Sequence, residues 1–484
     1  MSHKSNVVYT NNVVYTNNVD GNHFVMPEVT IPSFANRVVN VEEYGAVGDG
    51  MYANTTEISA AIAACAKQGG GKVVIPAGVW LTHPIRMQSN VNLHVEAGAL
   101  VIFSKNRDDY PLINTSYEGL RTVRCIAAIY GADLENIAIT GTGILDGSGE
   151  VWRPVKRMKL TANQWKQQLA SGGYETGETW WPSKQAFDGA GYVKNLIAND
   201  VQDPNEFAPA RDFLRPVLLQ FDRCNNILLD GPTFRNSGAW NVHPWLCEHV
   251  TIRNVHIQNM WYSQNGDGLD LDSCRYVNIY DAIFDVGDDA ICIKSGKDAD
   301  GRDLGVATEY VNIWNCRVYH GHGGFVVGSE MSGDVRNINI TDCTFIGTDA
   351  GIRFKSTRGR GGIVENIYMN NIRMKDIAKE AIIFSKLYTG KNNDGDAPVT
   401  EETPVFRNIT ISNTICHGAG RALLISGLPE MPIEGLVFDR VTLVARNGVS
   451  CTYGRNITFK QTVIEAEHGE SFVIESSENV NVID

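Results

Sequence analysis

The sequence predicts an all-β protein: a single right-handed parallel β-helix, a solenoid with an N-terminal capping helix and inserted loops. Three observations carry that expectation. Apolar-x-apolar triplets start at Val250, Val277, Val311, Ile338, Ile367, Ile409 and Ile457, 27 to 29 residues apart where no insertion intervenes, and alternation with a period of two marks strands. Four residues after the first apolar position stands Asn254, Asp281, Asn315, Asp342, Asn371 or Asn413, residue types that tolerate a left-handed turn and can stack along an axis. A second strand aligns as GLDLDS, AICIKS, GFVVGS and GIRFKS, starting at Gly268, Ala290, Gly324 and Gly351. No amphipathic helix lies between these strands, which favours stacked coils. A β-propeller would need about four strands in roughly 40 to 45 residues, and this period is too short.

Taken in order, residues 1–40 read as an N-terminal arm that carries the short duplication VVYTNNVVYTNN, and residues 41–484 as the solenoid domain. No apolar segment follows the basic start, so the chain as given is expected in the cytoplasm without a leader, or in the periplasm or medium had one been trimmed. No run approaches a membrane span. In NTTEISAAIAACAKQGGG, Ile58, Ala61, Ile62 and Cys65 share a helical face, with Asn54 or Thr55 set to cap its start and Gly69 to Gly71 its end. Such a helix would cover the open end of the stack. Residues 152–214, rich in Trp and without the repeat, read as an inserted lobe. The ten cysteines lack metal-ligand or disulfide-scaffold spacing and read as buried thiols, Cys316 and Cys343 within an internal stack. A net charge of −13 argues against a nucleic-acid partner and leaves an anionic substrate only local attraction.

Aligning the second strands places Asp267, Asp289, Gly323 and Ala350 on successive coils, roughly 4.8 Å apart, preceded by Gly266, Asp288, His322 and Asp349. Outward columns follow: Asp270, Cys292, Val326 and Arg353, then Asp272, Lys294, Gly328 and Lys355. Three acids, a histidine and several cations would share one surface patch. A calcium loop is the rival reading of NGDGLDLDS, but Leu269 and Leu271 mark a strand and no terminal Glu completes the loop. No metal and no cofactor is assigned. Paired carboxylates, one protonated and one ionised, are the equipment of glycoside hydrolysis. Asp267 and Asp289 are expected to hold a water, and Asp288 to be the acid with its pKa raised by the other two. Arg353 and Lys355 flank an inward Phe354 and suit the carboxylate of a sugar acid.

These residues resemble glycoside hydrolase family 28, the polygalacturonases and their relatives. The motifs are Asn265-Gly266-Asp267, Gly287-Asp288-Asp289, Gly321-His322-Gly323 and Arg353-Phe354-Lys355; the family usually has Thr in the middle of the first and Ile in the middle of the last. The resemblance runs from about Val41 to beyond Tyr388. It implies a right-handed parallel β-helix that hydrolyses α-1,4-linked galacturonic acid of pectin with inversion. It also implies Asp288 as general acid, Asp267 and Asp289 as water activators, His322 beside the acid, and Arg353, Lys355 and Tyr388 on substrate. Glu330, Lys294 and His243 are assigned to substrate binding as well. The stretches GKDADGRDLGVATEY and GHGGFVVGSEMSGDVRN are similar to bacterial exo-acting members, and either the lobe or residues 296–308 could close one end of the groove. Rhamnogalacturonan is an alternative substrate of the same family. A calcium-dependent pectate lyase and a non-catalytic β-helical carbohydrate binder are the readings outside it. The oligomeric state stays open.

Overall fold

The computed structural model describes residues 24–388 and 395–483; the VVYTNN duplication lies outside the described residues. Strands paired in parallel build one sheet of 33 strands, the winding of a right-handed parallel β-helix. One coil shows the plan: Arg275–Tyr280, Ile283–Asp285 and Asp289–Lys294 pair with Thr308–Trp314, Arg317–Tyr319 and Gly323–Gly328 of the next. Val277, Val311, Ile338, Ile367 and Ile409 stand in direct register, each at most 1% exposed. Each such side chain contributes roughly 1.5–3 kcal/mol by leaving water.

The predicted turn column is present. Asn254, Asp281, Asn315, Asp342, Asn371 and Asn413 all have φ between 48° and 55°. Asn315 Nδ2 donates to Asp281 Oδ1 and Asn371 Nδ2 to Asp342 Oδ1, both at 2.6 Å. A second left-handed column, not foreseen, runs through Asn226, His249, Tyr276, Tyr310, Asn337 and Asn366. Its aromatic members stack instead of bonding, Tyr276 on Tyr310 at 5.7 Å.

The N-terminal helix, Thr55–Lys67, buries Ile58, Ala61, Ile62 and Cys65 as expected. Asn54 occupies the cap position, but its side chain makes no capping bond. It instead clamps the preceding loop, accepting from Val47 N at 2.6 Å and donating to Val47 O at 3.0 Å. The ten cysteines are buried and unpaired. No helix among the described residues is long and apolar enough to cross a membrane.

Two structures interrupt the coils. Residues 152–214 carry the helices Ala162–Ala170 and Lys184–Ala198 and a small antiparallel sheet of Val155–Lys156, Tyr174–Thr176 and Thr179–Trp181. A hairpin of Leu112–Tyr117 and Leu120–Cys125 was not predicted. Its turn, Glu118-Gly119, has φ of 50° and 71°, the paired positive angles that let a two-residue turn follow the strand twist. Trp152, Phe207 and Leu214 of the insertion pack with Tyr110, Tyr117 and Val123 of the hairpin region into a second apolar core, apart from that of the solenoid.

Candidate active site

Main-chain register builds the site. Asp289 pairs with Gly323 and Gly323 with Ala350; Asp270 pairs with Cys292, Cys292 with Val326 and Val326 with Arg353; Gly328 pairs with Lys355. Gly268 N donates to Asp289 O at 2.9 Å, which fixes Asp267 one coil from Asp289. The Gly-Asp-Asp corner is tight: a Cβ on Gly266 would lie 1.9 Å from Ser263 Oγ, and one on Gly287 2.4 Å from Met260 O. Ser263 therefore fills the space that a side chain at position 266 would need. The second departure is absorbed inside the coil, where Phe354 stacks on Phe384 with ring centres 4.6 Å apart.

Asp267, Asp288 and Asp289 each bring a carboxylate oxygen within 4.8 Å of the others. Their surroundings differ. Asp289 is 1% exposed and accepts from Lys355 Nζ at 2.7 Å, with Arg353 Nη1 at 4.0 Å. Asp288 faces His322 Nδ1 at 2.9 Å. Asp267 is 4% exposed and its Oδ1 has no hydrogen-bond partner among the described residues. Burial, and then the charges of Asp288, Asp270 and Asp289, hold the Asp267 carboxyl well above the ordinary carboxylate range. Burial acts on Asp288 too, but the His322 hydrogen bond and charge, with Lys355 and Lys159, overcome it and set Asp288 below that range. This corrects the expectation that its neighbours would raise Asp288: they raise Asp267, while His322 takes up Asp288.

The cations line the same cleft of about 860 Å³. Lys355 Nζ and the Arg353 guanidinium lie 4.9 and 5.5 Å from the Tyr388 ring centre. Burial lowers the Lys355 pKa, but the charges around it, Asp289 first and then Tyr388 and Cys292, together outweigh burial, and the ammonium is held above its ordinary value. Lys294 and Glu330 also line the cleft, though each is occupied by the other at 2.9 Å. Glu330, only 13% exposed and 3.8 Å from Arg360, is thus a counter-ion within the cleft wall rather than a rim carboxylate. His243 does not reach the cleft. It is fully buried, 3.7 Å from Asp272 and edge-on to Trp240. Asp270 and Asp272 are likewise fully buried and not part of an open patch, Asp270 with Lys294 at 3.6 Å and Asp272 accepting from Gly296 N at 3.0 Å.

Sequence reasoning missed several cleft residues: Glu118 from the hairpin, Lys159 from the lobe, and Trp240, Trp261, Arg360 and Lys379. Glu118 was within reach, since a Glu-Gly pair between the alternating runs LINTSY and LRTVRC is a hairpin pattern. Lys159 and Trp261 sit on irregular segments with no period to reveal them.

A parallel β-helix with three convergent carboxylates beside a row of cations defines a glycoside hydrolase that handles an acidic sugar. The description of glycosyl hydrolases family 28 matches residues 186–463, and the chain belongs to that family. A rhamnogalacturonase A/epimerase, pectate lyase-like description matches residues 38–108. The chain is 28% identical over 449 residues to an exo-poly-alpha-D-galacturonosidase of Dickeya chrysanthemi, covering 90% of this chain and 70% of that one. It is 28% identical over 411 residues to a probable polygalacturonase of Vitis vinifera, covering 83% and 73%. The crystal structure of a hyperthermoactive exopolygalacturonase from Thermotoga maritima superposes with a TM-score of 0.78 at 31% identity, covering 90% of this chain and 94% of that one.

Proposed function

We propose that this glycoside hydrolase cleaves galacturonic acid units from one end of a pectic chain, with inversion. It rests on a single cleft that joins the Asp267, Asp288 and Asp289 carboxylates to Arg353, Lys355 and Arg360, in a chain whose net charge of −13 would otherwise repel a polyuronate. In this reading Asp288 gives a proton to the glycosidic oxygen, and the proton held between Asp288 and His322 is the source. Asp289 and Asp267, the latter once it has lost the proton that burial makes it hold, orient a water on the anomeric carbon and take its proton. Two oxygens bridged by one water at hydrogen-bond distances of about 2.8 Å stand about 4.6 Å apart, which suits carboxylates that come within 4.8 Å. That is nearer than the roughly 6.5–9.5 Å between the carboxyls of general inverting pairs, so support for inversion comes from the family resemblance.

The end-cutting half is supported by the names of the Dickeya and Thermotoga relatives and by the hairpin tip. Gly119 O accepts from Lys297 N at 2.8 Å, and Arg121 pairs with Asp300 at 2.5 Å. Glu118, Lys297 and the lobe residues Lys156, Met158 and Lys159 form that wall of the cleft. The lobe of residues 152–214 and the hairpin together act as the stop. An NMR time course on an α-linked oligogalacturonate, with viscometry of the polymer, tests both halves. β-Anomeric product first and slow viscosity loss are expected. Initial α-anomer would overturn inversion, and a rapid viscosity drop at low bond cleavage would overturn the end-cutting mode. Unsaturated, ultraviolet-absorbing products would replace the hydrolase with a lyase.

A further inference from the structure

A second cavity lies between the inserted lobe and the hairpin. It holds about 590 Å³, within the roughly 300–1,000 Å³ of sites for small organic ligands. Glu118, Lys156, Gln264, Asn265 and Lys297 line both it and the cleft, so the two spaces adjoin. Its charge is one-sided: Arg124, Arg215, Lys156, Lys194 and Lys297 face a single carboxylate, Glu118.

The two arginines are 6% and 8% exposed, and among the described residues neither forms an ion pair. Arg215 donates to Gly238 O, Gln264 O and Asn265 Oδ1, at 3.2, 2.8 and 2.8 Å. Arg124 donates only Nη2, to Arg215 O at 2.7 Å, and its guanidinium lies 3.7 Å from the Tyr117 ring centre. Its Nε is sealed from solvent with no acceptor among the described residues. Neighbouring buried guanidiniums without an anion are a costly arrangement that an anionic ligand would relieve. Trp181, Ile197, Phe213 and Leu214 supply apolar walls around them. An occupant that satisfies both features carries a carboxylate on a body with C–H faces, which is the make-up of a uronate sugar.

We propose that this cavity binds a uronate residue of the substrate, its carboxylate received by Arg124 and Lys194, so that one sugar unit is gripped outside the cleft of the three acids. The site rests on the galacturonan reading above and names the part of the chain that would recognise the substrate's end.

The test is calorimetric titration of the full chain carrying Asp288→Asn with trigalacturonate. Adding Arg124→Met is expected to weaken binding about tenfold or more, the loss of one charge-assisted contact. Lys194→Glu, on the exposed face of the Lys184–Ala198 helix, is expected to weaken it about threefold to tenfold, and less at high salt. Unchanged affinity in Lys194→Glu together with unchanged affinity in Arg124→Met overturns the site. Should Arg124→Met lose its melting transition, Lys194→Glu decides alone by the same criterion. A wild-type chain that turns over no galacturonate oligomer overturns the functional reading instead. Turnover by the wild type with binding indifferent to both substitutions overturns only the site.

Discussion

Two polar columns run along the same coils and are built in opposite ways. On the Asn/Asp turn column the amides find partners on the neighbouring coil, Asn315 in Asp281 and Asn371 in Asp342 of the column itself at 2.6 Å, Asn254 in Asp230 at 2.7 Å and Asn413 in Asn370 at 2.6 Å just before it. On the sheet that carries Asp267 and Asp289 the residue type changes at almost every coil. Oxygens are left over there: Asp267 Oδ1, Asp289 Oδ1 and both carboxylate oxygens of Asp270 are buried without a hydrogen bond among the described residues. Repetition satisfies its own polar groups and contributes stability. The aperiodic column forgoes that satisfaction and keeps reactive groups at fixed spacing.

Substitutions can break this contrast from either side. The largest effect is expected from Asp288→Asn: initial rates on galacturonate oligomers should fall by about 10² to 10⁴, with the thermal melt unchanged. Next comes Lys355→Met, which leaves Asp289 buried without its 2.7 Å partner. Here both properties should suffer, with KM raised and unfolding in urea about 3–5 kcal/mol easier; a loss of activity with full stability would show the pair to be dispensable to the fold. Asn371→Ala on the turn column should cost about 1–2 kcal/mol of stability, from a lost hydrogen bond and a left-handed backbone without its preferred residue, and leave the rate constants alone. Any large change in kcat there would undo the separation of roles.

The smallest effect sharpens the comparison through pH. Asp267 and Asp270 bind a proton more tightly in the fold than in the unfolded chain, because burial raises both. Their contribution to stability is therefore complete below the ordinary carboxylate pKa and is lost as pH rises through the raised values. Asp270→Asn should flatten that loss, so that the variant gains on the wild type at pH 8 relative to pH 4 in urea titrations. It also removes a carboxyl that ionises in competition with Asp267, so the acid limb of kcat/KM should move to lower pH. A limb that stays put would disconnect Asp270 from the reaction.

How much of this was legible follows the same division. Val277, Val311 and Ile338, with Asp281, Asn315 and Asp342 four residues behind each, announce the coil and its register because the pattern returns. That register alone places Asp289 beside Gly323 and Arg353 beside Val326. What did not repeat stayed hidden. His243 was assigned to substrate, yet it lies under a hairpin whose position over the sheet depends on Tyr117 meeting Trp240, residues far apart in the chain. The second turn column escaped notice because His249, Tyr276 and Tyr310 replace the asparagines there. The proton affinities of Asp267 and Asp288 were reversed, since the side-chain direction of His322 is not written in a period.

The coils rise by roughly 4.8 Å each, and a hydrogen-bonded main chain gives no finer adjustment. The distance between groups on neighbouring turns is thereby quantised, as on a ratchet, and a mutation can occupy a tooth or leave it empty but cannot move it. Variation among such enzymes is channelled outward, into excursions like residues 152–214 and the Glu118-Gly119 tip. A lineage can thus exchange one carbohydrate for another, or an open trough for a dead end, while the bond-breaking hardware is inherited intact.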